Sequence, residues 1–224
     1  RREVAERMIA FLVLLYGVYI LAMVVCGVGL RIGLFPGRAP FAMTVVPAIV
    51  GLAAIVIVLP LALVPDDFER RIERMAPRRP RTARWLRRLA LGPASMRGGV
   101  RFALAKVIRP DWAMVGAVTW WAFNIAILWA CFHAFGEPPP TAVLVQAFFV
   151  GMLANLLPLP GGIGGVDGGM IGALAAFGVD TGVAVLAVLS YRLFSFWLPT
   201  VPGVIAYFGL RRRVQEWRRH PAVA

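Results

Sequence analysis

Two charged residues stand inside otherwise apolar stretches of the chain, and they are the first candidates for chemistry. Asp167 follows a glycine-rich run, and Arg192 lies in a long apolar block near the C-terminus. A charge at the centre of a membrane helix costs about 2.5–3.5 kcal/mol on insertion scales, so such residues face a partner or a polar cavity. We therefore expect Asp167 and Arg192 to pair, either as groups that bind substrate or as a structural or gating ion pair.

The run before Asp167 interrupts any continuous helix. Residues 158–169 contain six glycines and two prolines. Glycine admits left-handed backbone and the close approach of a ligand, and broken backbone survives in lipid only where protein or a wet cavity surrounds it. A half-helix beginning near Val166 would aim its positive N-terminal end at an anionic group such as a lipid phosphate. The alternative is a tight hairpin whose glycines serve packing alone.

These two features define the candidate site. The candidate substrate-binding residues are Asp167, Arg192, Gly161, Gly162, Gly164, Asn155 and Tyr191. The candidate structural residues of the hairpin are Pro158, Pro160, Gly165 and Pro199. Asn155, together with Asn124 and Gln146, also fits a role as an interhelical hydrogen-bonding group. We predict no catalytic residue, no cofactor and no metal site, since the sequence has no cluster of Cys and His.

The elements that position the candidates are apolar blocks of membrane-spanning length. The chain is 60% hydrophobic and 16% charged, whereas soluble domains have about 25% charged residues. Blocks at 8–30, 41–64, 112–135 and 181–210 predict transmembrane helices. The pieces between them predict a broken hairpin at 141–178. The fold class is therefore all-α, a polytopic helical membrane protein with a re-entrant hairpin broken by glycine and proline.

The positive charges lie beside the spans. Thirteen of the 24 basic residues fall in 66–111, and five more follow the last apolar block. This placement excludes a nucleic-acid groove and predicts that the loop 65–111, the tail 211–224 and both termini are cytoplasmic in a multi-pass cell-membrane protein. Around Trp85, the loop has the pattern of an interfacial helix on anionic lipid, although a solvated loop fits equally. Charge does not decide whether 141–178 is re-entrant or crosses twice, but its short second piece favours the hairpin. The sequence leaves the oligomeric state open.

The chain resembles a known family at its C-terminal end. The residues that carry the resemblance are the run Leu157-Pro-Leu-Pro-Gly-Gly-Ile-Gly-Gly-Val-Asp167, then Phe177-Gly-Val, Tyr191-Arg192, Phe196-Trp-Leu-Pro199 and Gly203. They are similar to the transmembrane region of lysylphosphatidylglycerol synthases and flippase-like membrane proteins, most strongly over 140–210. Family members usually have Glu at the position of Asp167. We expect this chain, which begins Arg1-Arg2 without Met, to be part of a longer protein.

The resemblance implies lipid handling rather than enzyme chemistry. It implies that membrane lipids are the partners and that a lipid with a polar head, aminoacylated or polyprenyl-linked, is bound or translocated. Two other functions stay open. One is a membrane-embedded transferase, whose acid–base candidates would be Asp167 and the poorly placed His133 and His220. The other is a scaffold for cell-envelope enzymes that transports nothing.

Overall fold

The computed structural model describes residues 2–58, 60, 100–101, 112–156, 162 and 164–219. Within these ranges the chain is helical and contains no strand. The helices are α1 (Arg2–Arg31), α2 (Phe41–Val58), α3 (Trp112–Phe135), α4 (Thr141–Met152), α5 (Gly165–Ala176), α6 (Thr181–Arg192) and α7 (Leu198–Arg219). A 3₁₀ turn (Leu153–Leu156) follows α4, and a π-helical segment (Leu193–Trp197) joins α6 to α7. Pro158, Pro160, Gly161 and the predicted interfacial helix around Trp85 lie outside the described residues.

The fold class predicted from the sequence, a polytopic helical membrane protein, is confirmed. Four helical stretches among the described residues are long and apolar enough to cross a membrane, namely Arg7–Arg31, Phe41–Val58, Met114–Phe135 and Thr181–Glu216. The last of them continues as α7 to Arg219, well past the predicted end of the apolar block at 210. Arginine, glutamine and glutamate are good helix formers, so the basic tail extends the helix although it is no longer apolar.

Two helices of twelve residues, α4 and α5, form the centre of the bundle. Helix α4 packs against α5 and α1, while α5 packs against α6 and α6 against α3. Their inward faces supply nearly half of the buried core residues, whose largest fully buried side chains include Phe148, Leu144, Met170 and Leu174. Twelve residues extend only about 18 Å as an α-helix, well short of a hydrocarbon core of about 30 Å. Helices α4 and α5 are therefore held by protein on their inner faces, which is the surrounding that interrupted helices in a membrane require.

Glycine sets the close crossing of α4 and α5. A Cβ placed on Gly151 would lie 2.7 Å from the backbone nitrogen of Met170, and one on Gly169 would lie 3.2 Å from the carbonyl oxygen of Gly151. Backbone atoms cannot move aside as a flexible side chain can, so the two helices meet at this distance only because both positions are glycine. Small residues at such crossings are the usual basis of helix association in membranes.

A proline in α2 explains a buried polar side chain in α4. Pro47 has no N–H, so the carbonyl of Met43, four residues earlier, loses its intrahelical donor. Gln146 supplies the replacement, because its Nε2 donates to the Met43 oxygen at 2.8 Å. Gln146 is fully buried. The expected interhelical role of Gln146 is thus observed, and the partner is a carbonyl that a helix-breaking proline sets free.

The loops at one end of the bundle lie together. One cavity is lined by Gly37 from the loop after α1, by Glu137 from the loop after α3 and by Gly178 from the loop after α5. We call this the loop end, defined by residues 31–40, 136–140 and 177–180. Helix α4 therefore begins at the loop end, and helix α5 ends there.

Candidate functional site

Asp167 and Arg192 form the ion pair that the sequence suggested. Arg192 Nε lies 2.6 Å from Asp167 Oδ1, and the side chains are only 10% and 18% exposed, respectively. Across the described part of the chain, Asp167 Oδ1 has no further hydrogen-bond donor. The pair therefore joins the start of α5 to the end of α6, and the charge on each side chain offsets the desolvation of the other.

The backbone before α5 places the carboxylate. Asp167 is the third residue of the helix, and its Oδ2 accepts a hydrogen bond from the N–H of Gly164 at 3.0 Å. The N-terminal turn of a helix carries a partial positive charge, so a carboxylate is stabilised there. One oxygen of Asp167 thus caps its own helix while the other faces Arg192.

Two of the predicted glycines adopt backbone that other residues rarely adopt. Gly162 and Gly164 have φ values of +63° and +79°. A Cβ on Gly162 would also lie 2.6 Å from Asn155 Oδ1, so a larger residue would be both strained and crowded. Gly165 begins α5. The turn that leads into the half-helix near Asp167 therefore depends on glycine at these positions.

Arg192 has an aromatic neighbour on its other side. Its Cζ lies 4.8 Å from the centre of the Phe196 ring, within the range of a cation–π contact. Phe196 belongs to the π-helical segment that starts directly after Arg192. Pro199 has no N–H for the carbonyl of Ser195, which favours an irregular hydrogen-bond pattern just before it. Such π segments frequently occur at functional sites.

The ion pair lies deep in the bundle. From the loop end, α5 runs back about 14 Å from Ala176 to Asp167, and α6 advances about 17 Å from Thr181 to Arg192 at 1.5 Å per residue. Both distances are about half the thickness of a hydrocarbon core of about 30 Å. The two charges and the N-terminal end of α5 thus meet at about half a hydrocarbon thickness from the loop end.

The comparisons with known proteins identify the family. The profile described as "Lysylphosphatidylglycerol synthase TM region" matches residues 4–203. The chain belongs to this family. A UPF0104 membrane protein of Methanothermobacter thermautotrophicus is 37% identical over 92 residues, which are 40% of this chain and 26% of that protein. A second, of Methanocaldococcus jannaschii, is 30% identical over 95 residues, which are 42% of this chain and 28% of that protein. The aligned part covers about a quarter of the length of these curated relatives. No solved structure matches the chain.

In this member of the lysylphosphatidylglycerol synthase TM family, two candidate residues serve other contacts. The hydroxyl of buried Tyr191 donates to Asn124 Oδ1 on α3 at 3.0 Å, so Asn124 has the interhelical role expected of it. Asn155 Nδ2 donates to the sulfur of Met152 one turn earlier, at 3.3 Å, so this contact lies within its own helical segment. Asn155 lies beside Gly162 and is exposed, so it remains a candidate for contact with a ligand.

Sequence reasoning missed Phe196 and the tight α4–α5 crossing at Gly151. A signal for Phe196 was available, because it follows Arg192 by four residues, a spacing that places two side chains on the same face of a helix. Gly151 carried no such signal. Which glycine faces a neighbouring helix depends on how each helix is rotated about its axis, and this rotation cannot be read from the sequence.

Proposed function

We propose that this chain binds a polar-headed membrane lipid, either an aminoacyl-phospholipid or a polyprenyl-linked lipid, and moves its head group across the bilayer. The observation that carries the proposal is the buried Asp167–Arg192 ion pair at the start of the half-helix α5. Family membership supports a membrane function, and the chemistry of the pair supports a ligand with charges of its own.

The mechanism is an exchange of ionic partners. Removing one member of a buried ion pair costs about 3–5 kcal/mol, because the other charge stays buried without compensation. An empty site therefore stays closed. A head group with phosphate and ammonium groups can replace both partners, with the phosphate on Arg192 and the N-terminal end of α5 and the ammonium on Asp167. The site would open when such a head group enters.

The local backbone supports such an opening. Asp167 is attached to a glycine turn, with Gly164 in the left-handed region. Arg192 is followed by the π-helical segment and then by Pro199 and Pro202 in the last span. Helix-breaking elements on both sides of the ion pair would let the two charges separate without breaking the core between α4 and α5. Broken helices near the midplane are where many transporters hold their substrate.

The test is lipid transfer in liposomes that contain the full chain. Fluorescent lipids with anionic, zwitterionic and cationic head groups would be followed from one leaflet to the other. We expect transfer that depends on the head group and that falls at least tenfold in Asp167→Asn and in Arg192→Gln. Matched controls are Glu216→Gln and Arg211→Gln, which remove the same charges from exposed positions near the end of α7.

Equal transfer by the wild type, both site variants and protein-free liposomes, with folding verified, would contradict the proposal that the chain translocates lipid. It would favour the scaffold alternative, in which the ion pair only fixes α5 to α6.

A further inference from the structure

The cavity at the loop end lies away from the ion pair. It has a volume of about 320 Å³ and is bordered by parts of all three loops. Three charged residues line it, namely Arg38, Glu137 and Asp180. Val143, Phe177 and Val183 provide apolar surface in the same cavity. One cavity therefore offers a cation, two carboxylates and an apolar wall.

A glycine at position 178 makes room for the side chain of Arg38. Gly178 has a φ of +89°, and a Cβ at this position would lie 2.8 Å from a terminal guanidinium nitrogen of Arg38 and 3.1 Å from its Cδ. The Arg38 side chain thus lies flat against the backbone of the turn that joins α5 to α6. This contact brings a residue of the loop after α1 to the same cavity as the start of α6.

The charged side chains of the cavity do not form ion pairs with one another in the described part of the chain. Across the described residues, the side chains of Arg38 and Glu137 form neither an ion pair nor a hydrogen bond. Asp180 uses Oδ1 to cap α6, accepting from the N–H of Val183 at 3.0 Å. Opposite charges that line one cavity without pairing are suited to a ligand that itself carries both signs.

The position favours a lipid head group over a soluble ligand. The cavity lies where α3 and α5 end and α4 and α6 begin, which is the level of the lipid head groups in a spanning bundle. Near the end of α3, the His133 ring packs against the Trp129 ring, with 3.9 Å between the centroids and 50° between the ring planes. Amphipathic aromatic residues of this kind are enriched at the membrane–water interface.

We propose that the loop-end cavity binds a lipid head group that carries both a phosphate and an ammonium. Arg38 binds the phosphate, and Glu137 together with Asp180 binds the ammonium. The site lies about 15 Å along α5 and α6 from the Asp167–Arg192 pair. This inference rests on the proposed function for its lipid, and it adds a separate site where the head group is held at the membrane surface.

The experiment measures binding of a soluble head group to the full chain in nanodiscs made only of phosphatidylglycerol. Radiolabelled glycerophosphoethanolamine, which has a phosphate and an ammonium, is compared with glycerophosphoglycerol, which lacks the ammonium. We expect saturable binding of the first, at least tenfold tighter than of the second. Arg38→Gln and Glu137→Gln should each weaken it about tenfold, the loss of one charge-assisted hydrogen bond. Arg211→Gln and Glu216→Gln should leave it unchanged.

A competition arm identifies the source of the head group. Phosphatidylethanolamine added to the nanodisc should displace the soluble probe if the cavity opens to the lipid surface. Failure of the lipid to compete would overturn the lipid assignment. Binding no greater than to empty nanodiscs, or equal binding by Arg38→Gln and wild type, would overturn the site itself.

This outcome is separable from that of the proposed function. Asp167→Asn should lower transfer in liposomes at least tenfold yet leave probe binding at the loop end intact. Probe binding without any lipid transfer would refute translocation and support the loop-end site. Lipid transfer without probe binding would refute the loop-end site and support translocation.

Discussion

The contact between Gln146 and the carbonyl of Met43 makes a quantitative prediction about Pro47. Replacing Gln146 with Met keeps the length of the side chain but removes its donor. In the wild type, this change leaves the buried Met43 carbonyl without a partner, because Pro47 cannot supply an N–H. In a Pro47→Ala background, the new N–H reaches that carbonyl through an ordinary helical bond. Gln146→Met should therefore cost stability only where the proline is present.

The size of the effect follows from opposing contributions. An unpaired buried acceptor costs about 1–3 kcal/mol, whereas hydrogen bonds between membrane helices average about 0.6 kcal/mol and reach about 1.7 kcal/mol. Gln146 Oε1 is itself buried without a partner, so removing the amide recovers part of the loss. We expect Gln146→Met to lower the free energy of unfolding by about 1 kcal/mol in the wild type and by close to zero in Pro47→Ala.

The assay is a double-mutant cycle measured by reversible unfolding in mixed micelles. The four proteins are the wild type, each single variant and the double variant, and the coupling energy should be about 1 kcal/mol. Equal costs of Gln146→Met in both backgrounds would refute the reasoning, because the amide would then not be replacing the bond that the proline removes.

Two further predictions test the bundle and its orientation. Gly151→Ala should lower the free energy of unfolding by about 1–3 kcal/mol, since its Cβ meets the backbone of Met170. Gly172→Ala, which has open space, should be neutral or slightly stabilising in the same unfolding assay, and equal effects would argue against the tight crossing. With the two native cysteines replaced, Glu137→Cys should react with a membrane-impermeant thiol reagent from outside the cell, and Gln215→Cys only after permeabilisation. Labelling of both from the same side would contradict the predicted topology.

The ion pair was predictable because the physics of the bilayer makes a lone charge conspicuous. Asp167 and Arg192 are charged residues within apolar segments of the sequence, and each needs a partner of opposite charge. The glycine turn before α5 was predictable for a related reason, since a dense run of glycine and proline cannot continue a helix. These are local signals, and the residues that produce them can be read from the chain alone.

The rest depends on how the helices are rotated against one another. Hydropathy does not encode the three-dimensional arrangement behind three of the contacts. These are the contact of Phe196 with Arg192, the helix crossing at Gly151, and the packing of Arg38 on Gly178. The last helix also continues to Arg219, past the apolar block from which its span was predicted. Apolarity predicts where a span leaves the lipid, whereas backbone hydrogen bonding and helix propensity decide where the helix ends.

A charge exchange at the ion pair tests the central claim most directly. The variant Asp167→Arg with Arg192→Asp keeps a pair of opposite charges but reverses their places relative to the N-terminal end of α5. If the pair binds the lipid head, we expect this protein to fold, and to unfold below the wild-type temperature because Asp167→Arg removes the cap of α5. We expect it to transfer no more lipid in liposomes than Asp167→Asn. Transfer restored to the wild-type rate by the exchanged pair would contradict the account, because the pair would then serve only to hold α5 against α6.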